Sequence, residues 1–376
     1  MADLMLADLM LEGIRVLDLS QYLPGPYAGQ MLADLGADVV KVEPPTGDPM
    51  RRLGGVDSDG LAPAYKLVNA GKTIVHLDLK GQEDRAAFEQ LVERADVLVE
   101  SFRPGTLDKL GFPRARLEEI NPGLVHVALS GWGQGGPYRL RAGHDLNYMA
   151  LGGGLAASGT GGTPVMSYPP VADHSAAIQA VAAVSAALFR RVRTGRGAYL
   201  DISLMETVLG WQSWPLTMAR RGAPPRPGQD MLTGGAAYNR IYRTADGRFI
   251  SLGSIEEKFW ATFCATIGKP EWTARQSEPL PQTALIAEVA ETLAAHSLKH
   301  WQEVFAGVDC CLEAVVELAD VPDHPHIAAR GQVKISGDGE PLVETLLGLR
   351  VDGAPPRERS SLVHGDAAST LARWLD

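Results

Sequence analysis

Three groups of side chains stand where proton transfer or acyl chemistry could take place. Asp173 lies in PPVADHSAAIQAVAAV, at the head of an alanine-rich helical run. A carboxylate there can cap the helix by accepting its N–H groups. Beside glycine-rich loops it is equally well placed for proton transfer or nucleophilic attack. His144-Asp145 sits in the glycine-flanked stretch RAGHDLNYMALGGG. Its imidazole suits general-base work near neutral pH or a structural hydrogen bond, and spacing alone leaves both open. Glu256-Glu257, in GSIEEKFW, opens a helix after an apolar run. Acids there ordinarily offset the helix dipole, and position promotes neither residue.

Arg51, Arg52, Lys72, Arg103 and Lys109 gather near the ends of apolar runs. Scattered surface cations are the ordinary explanation. Their placement along one edge of a sheet also suits a phosphate-bearing ligand. Gly131-x-Gly133-x-x-Gly136 has the form of a dinucleotide fingerprint, which also needs a helix opening there and an acid about 20 residues further on. Pro137 follows instead and position 156 is alanine, so no dinucleotide site is expected. His324-x-His326 brackets Pro325 without a third ligand and reads as loop; no metal site is expected.

The elements that must hold these residues follow from periodicity. Ile14–Ser20, Asp38–Val42, Thr73–Leu79, Asp96–Ser101 and Leu124–Ser130 read as strands, with helices over Tyr27–Gly36 and Gln82–Ala95. Strand–helix alternation at this spacing predicts βαβ units on a parallel sheet, with ligands beyond the carboxyl ends of its strands. A Gly-rich stretch, 131–162, leads to a helix from about Asp173 to Arg191–Arg193, ended by Gly195 and Gly197. Another helix is expected near Ile202–Trp211, a linker at Arg220–Gly228 and a hairpin over Ala237–Leu252 turned at Asp246-Gly247. The expected domains are a large one over 11–220, a small one over 226–330 and a return to the large one over 331–376.

Composition bounds the remaining choices. The 376 residues carry 41 glycines and 25 prolines, above average but short of a low-complexity chain. A net charge of -10 repels phosphate backbones, so no nucleic-acid partner is expected. Cys264, Cys310 and Cys311 form neither a disulfide framework nor a zinc motif, and a reducing, cytoplasmic compartment is expected. The weakly polar stretch Ala176–Phe189 falls short of the roughly 20 residues of a membrane span. The opening MADLMLADLM lacks a basic signal-peptide start and reads as an extension without assigned function.

Four long motifs carry a resemblance. LEGIRVLDLSQYLPGPYAGQMLADLGADVVKVEPP, NAGKTIVHLDLK, ADVLVESFRPGTLDKLGF and INPGLVHVALSGWGQGGP together resemble the family III CoA-transferase (CaiB/BaiF) superfamily, whose members include CoA-transferases and α-methylacyl-CoA racemases. The resemblance spans nearly the whole chain from Leu11. It implies an α/β fold: a Rossmann-like parallel-sheet domain that binds CoA, and a smaller α+β domain, in an interlocked homodimer. AGHDLNYMAL and MLTGGAAYNRIYRTADGRFISLGSIEEKFW are similar to racemase segments, and a transferase run of four glycines is absent. The racemase branch is therefore favoured, with His144, Asp173 and Glu256 as its catalytic residues. Coenzyme A, as part of the acyl-CoA substrate, is expected against Leu23, Pro24, Asn69, Lys72, Phe102, Arg103, Lys109, Gly143 and Asp145, and no further cofactor is required. Pro44, His174 and the long Gly47–Gly60 stretch depart from the racemase pattern. The transferase alternative uses Asp173 as the acyl-accepting carboxylate; a silent CoA-binding scaffold fits poorly with retention of all three candidate residues.

Overall fold

A computed structural model describes residues 9–159, 163–337 and 340–375. Most of the N-terminal repeat and three residues of the Gly-rich stretch lie outside them. The strands are β1 (Arg15–Asp18), β2 (Asp38–Glu43), β3 (Thr73–His76), β4 (Val97–Glu100), β5 (Val125–Ser130), β6 (Ala198–Ser203), β7 (Asn239–Arg243), β8 (Phe249–Gly253), β9 (Leu312–Ala314), β10 (Val333–Ser336), β11 (Leu342–Thr345) and β12 (Val363–His364).

The chain divides into two compact units. The first joins residues up to Gly152 with Tyr168–Gly210 and Pro325 onward. Its seven-stranded sheet runs β12-β3-β2-β1-β4-β5-β6 with every pairing parallel. Parallel strands covered on both faces read as near-continuous apolar runs, and VLVE and VHVALS are buried at every position. On one face Leu17, Val40 and Leu98 pack with Phe88, Leu91 and Phe112. The expected strands and helices of the first half are present with edges trimmed. Strand β6 was not anticipated; its Ile202 and Ser203 fell within the helix expected there, which starts at Leu204.

Two buried lysines brace the strand ends. Lys41 pairs with Asp48 at 3.0 Å and Lys72 with Asp18 at 2.8 Å, all four side chains sealed from solvent. Burial would raise the Asp18 carboxyl, but Lys72 and Lys41 outweigh it and hold the carboxyl at about 2.

The Val171–Thr194 helix, 24 residues long, outruns the expected segment and ends at Gly195 in the left-handed conformation. By length and composition it could cross a membrane, yet half of its most apolar stretch is buried within the protein. Its inward positions include Ala172, Ala176, Ala177 and Ala180. Such small residues let it lie close to the Pro24–Asp34 helix.

The second unit comprises Gly153–Ser167 and Trp211–His324. Its antiparallel sheet β7-β8-β9 includes the expected hairpin. Tyr242, Ile250 and Leu252 pack against Trp260, Phe263, Leu285 and Trp301 from the following helices.

Candidate active site

Strand order in the large sheet reverses between β1 and β4, with β2 and β3 on one side and β5 and β6 on the other. In open α/β sheets the ligand crevice lies outside the carboxyl ends of the strands at such a switch point. A cavity of about 450 Å³ occupies that position in the first unit. Gln21, Tyr22 and Pro24 come from the loop after β1, Ser101 to Pro104 from the loop after β4, and Gly131 and Trp132 from the loop after β5. The Gln21 N–H donates to Ser101 Oγ at 2.9 Å, tying two of these loops across the reversal.

Two of the candidate catalytic residues meet on this wall. Asp173 and His144 both line the cavity, though 29 positions separate them in sequence. Asp173 is not the cap of its helix: Pro170 holds that position and Asp173 is the third helical residue, half-buried. Burial first, and the neighbouring Asp145 charge second, push its carboxyl up to about 7. His144 precedes the Asp145–Leu151 helix and is exposed. Its main-chain N–H donates to Asn147 Oδ1 at 3.0 Å, which fixes the turn that presents the ring.

Tyr148, not singled out from the sequence, ties this region together. Its hydroxyl donates to the Gly143 carbonyl at 2.5 Å, and its ring meets Trp132 edge-on at 4.9 Å. Burial and the nearby Asp173 push that hydroxyl up to about 12, so it stays protonated as a donor. Gly131 and Gly143 make room for it. A Cβ on Gly131 would collide with the Tyr148 ring, and one on Gly143 would come within 2.8 Å of it. Gly131, the first glycine of the GxGxxG pattern, and Gly143 thus leave room for a tyrosine, and the next helix opens at Asp145, well beyond Pro137.

The residues expected around CoA divide by position. Pro24, Phe102, Arg103 and Gly143 line the cavity. The Phe102 N–H donates to the Glu100 carboxyl at 2.6 Å, and burial pushes that carboxyl up to about 8. Leu23 is half-buried ahead of the Pro24–Asp34 helix. Asp145 stands behind the wall, where Oδ1 accepts the Asp173 N–H at 3.1 Å. Lys109, exposed at the end of its short helix, is outside the lining. Lys72 and Asn69, also in the expected set, are interior. The Lys72 ammonium donates to Asp18, to Asn69 Oδ1 and to the Pro26 carbonyl, leaving none of its three donors for a phosphate.

Glu256 belongs to the second unit, exposed at the cap of the Glu257–Thr266 helix. His174 Nδ1 donates to the Pro170 carbonyl at 2.5 Å and its ring meets Tyr27 edge-on at 5.0 Å. Among the described residues no group of three or more His, Cys, Asp or Glu could hold a metal ion.

A parallel sheet with a switch-point cavity, and a small antiparallel unit beside it in sequence, agree with what comparison finds. Residues 11–361 match CoA-transferase family III, and the chain belongs to that family. It is 34% identical over 350 residues to the alpha-methylacyl-CoA racemase of Mus musculus, covering 89% of this chain and 84% of that protein. It is 32% identical over 337 residues to the acetyl-CoA:oxalate CoA-transferase of Acetobacter aceti, covering 87% and 86%. A CaiB/BaiF family protein from Brucella suis superposes with a TM-score of 0.83 at 28% identity, over 97% of this chain and 99% of that one.

Proposed function

We propose that the protein is an acyl-CoA racemase that epimerises a 2-methylacyl-CoA thioester by removing the α-proton and returning it through an enolate. The observation that carries this reading is the sharing of one cavity wall by His144 and an Asp173 carboxyl held near 7. Inversion at the α-carbon needs a base on one face and an acid on the other, and each must be able to exchange roles. A carboxyl poised near neutrality gives and takes a proton at comparable cost. His144 serves one face and Asp173 the other. Glu256 from a second subunit assists His144 in a homodimer.

Main-chain N–H groups at the start of the Val171–Thr194 helix stabilise the enolate oxygen. Arg103 meets CoA phosphate while Phe102, Pro24 and Gly143 line the approach. Proton transfer of this kind calls for no redox step. The similarity to a mammalian alpha-methylacyl-CoA racemase over most of both chains supports the reading.

A second reading is a CoA-transferase. An ionised Asp173 attacks the thioester carbonyl, giving an aspartyl mixed anhydride and CoA thiolate. The thiolate then attacks the aspartyl carbonyl, which frees the donor acid and leaves CoA as a thioester on Asp173. An incoming carboxylate runs the two steps in reverse to leave as the new acyl-CoA. The similarity to a transferase over a comparable span favours it.

Solvent exchange separates the two. A 2-methylacyl-CoA incubated with the protein in D2O gains deuterium at the α-carbon as its configuration scrambles, if the racemase reading holds. His144→Ala then slows exchange by about 10²–10⁴ while CoA still binds. Movement of CoA between acids with no α-exchange establishes the transferase instead.

A further inference from the structure

Arg103 stands between two cavities. It lines the one shared by His144 and Asp173, and with Glu100, His126 and Tyr199 it also lines a smaller one of about 300 Å³ behind the loop after β4. Among the described residues its guanidinium forms no ion pair, whereas Arg15, Arg51, Arg191 and Arg359 in the same unit all do. Its charge acts on Tyr148, in the catalytic cavity, while the charges felt at Glu100 are those of Asp108 and Asp201. The guanidinium therefore faces the catalytic side.

Glu100, the last residue of β4, is only 5% exposed. Its carboxyl accepts the Phe102 N–H at 2.6 Å and meets no cation. A sealed carboxylate without a partner is costly. Burial first, with Asp108 and Asp201 adding, pushes this group up to about 8, so near neutrality it is a neutral acid.

The other groups around the smaller cavity offer an ionised Glu100 no partner. Arg114 is held by Glu118 at 2.8 Å and lies over the Tyr199 ring at 4.6 Å. On β5, burial and then Arg114 hold His126 at about 4, so it is neutral. On β6, burial and then Asp201 push Tyr199 up to about 12, so it keeps its proton. Asp108 and Asp201 repel, and Gln134 carries no charge. Arg103 alone has a free guanidinium, a flexible stem and a place on the wall of both cavities. Its planar fork matches a carboxylate through two bonds.

We propose that Glu100 is a positioning residue for Arg103. As a neutral acid it leaves the guanidinium to the anionic ligand; as a carboxylate it draws the guanidinium out of the catalytic cavity and into its own. The inference rests on the acyl-CoA reading only for the ligand, whose phosphates supply the negative charge.

The test is calorimetric titration of the full chain with S-ethyl-CoA, a thioether with neither a titrating thiol nor a reactive carbonyl, from about pH 7 to 9.5. Wild type is expected to bind at least about tenfold more weakly at the upper pH, roughly the worth of one charge-assisted bond. Coupling between sites is reciprocal, so binding near pH 8 should take up protons, read from the heats in two buffers of different ionisation enthalpy. Glu100→Gln keeps the shape of the neutral acid. It should bind as wild type does at pH 7, hold that affinity across the range and lose the uptake. Arg103→Ala should bind weakly throughout, with no slope. A flat wild-type profile, or a slope that persists in either variant, overturns the proposal. So does a Glu100→Gln affinity lowered equally at every pH, which would make the residue merely structural. Failure of wild type to bind the thioether at pH 7 would remove the acyl-CoA reading itself, and this proposal with it. Absent α-exchange in D2O with the slope intact would remove the racemase reading and leave Glu100 in its role.

Discussion

Asp145 Oδ1 accepts the main-chain N–H of Asp173 at 3.1 Å, so the two candidate segments of the site are joined by one hydrogen bond. The first N–H groups of a helix have no partner within it, and Pro170, at the cap position, has no side-chain acceptor to offer. Asp145 supplies one from another helix. The same contact places two carboxylates side by side, and the Asp145 charge adds to burial in raising Asp173.

Asp145→Asn keeps an oxygen acceptor and removes the charge. The Asp173 carboxyl should then titrate at a lower pH, though still above an ordinary aspartate because burial is the larger cause. The limb of the pH–exchange profile that reports Asp173 should move in the same direction. A carboxyl NMR titration of the two proteins checks this, and an unmoved Asp173 resonance would remove Asp145 from the account.

Asp173 should destabilise the fold it serves. Its folded pKa of about 7 lies above the ordinary aspartate value. The folded state therefore loses stability relative to the unfolded chain as pH rises from about 4 through 7. Asp173→Asn should be more stable at pH 8, by about 1–2 kcal/mol after discounting for its partial exposure, and no more stable at pH 4. Urea unfolding at the two pH values measures the difference. Loss of activity with a gain in stability is the pattern of a group kept for chemistry.

Arg103 and Lys72 should fail in different ways. Arg103→Ala leaves an exposed position and should weaken CoA binding by about tenfold or more through loss of a charge-assisted bond. Lys72→Ala strips the sealed Asp18 carboxylate of its partner and should cost about 3–5 kcal/mol of stability. Thermal melts and CoA titrations on both variants separate the two cases. A Lys72 variant of native stability that binds CoA poorly would return that residue to the ligand.

Acid should expose the same buried pair. The Asp18 carboxyl sits at about 2 in the folded state, below its unfolded value near 4. Its contribution is present above pH 4 and is lost as pH falls through 2. Asp18→Asn should therefore flatten the acid limb of the stability curve between those values, as followed by circular dichroism.

Tyr148→Phe removes the hydrogen bond to Gly143 and should cost about 0.5–1.5 kcal/mol, with a fall in exchange rate because the His144 turn loosens. Gly131→Ala should be worse on both counts, since its methyl group has no room beside the tyrosine ring. Equal behaviour of Gly131→Ala and wild type would remove the packing argument.

The β-branched runs at 38–43, 97–100 and 125–130 were legible as strands because a sheet buried on both faces leaves few polar positions. AYLDIS is a strand with half-exposed, mixed residues at the sheet edge, and such a segment has no comparable signal. Asp173 and His144 were legible as chemical groups, but not the cavity they share, because their meeting depends on the crossover after β5. The surroundings of Lys72 were hidden for a simpler reason. A lysine near a strand end looks the same from the sequence whether its ammonium faces solvent or, as here, an aspartate 54 positions away. Tyr148 carries no distinguishing spacing, and the room that Gly131 and Gly143 leave for its ring is visible only in the fold.

The closing residues of the chain complete the first sheet rather than trail from it. β12 pairs with β3, Trp374 Nε1 donates to Asp38 at 2.7 Å, and Arg15 reaches the Trp374 carbonyl across 359 positions. A ribosome releases β1 to β6 long before it releases these partners. The nascent sheet must therefore wait through synthesis of the whole second unit with the β3 edge and the Trp374 seat open. Edges of that kind invite foreign strands, and contacts so distant in sequence form slowly. Completion of the first sheet is thus tied to prior synthesis of the second unit.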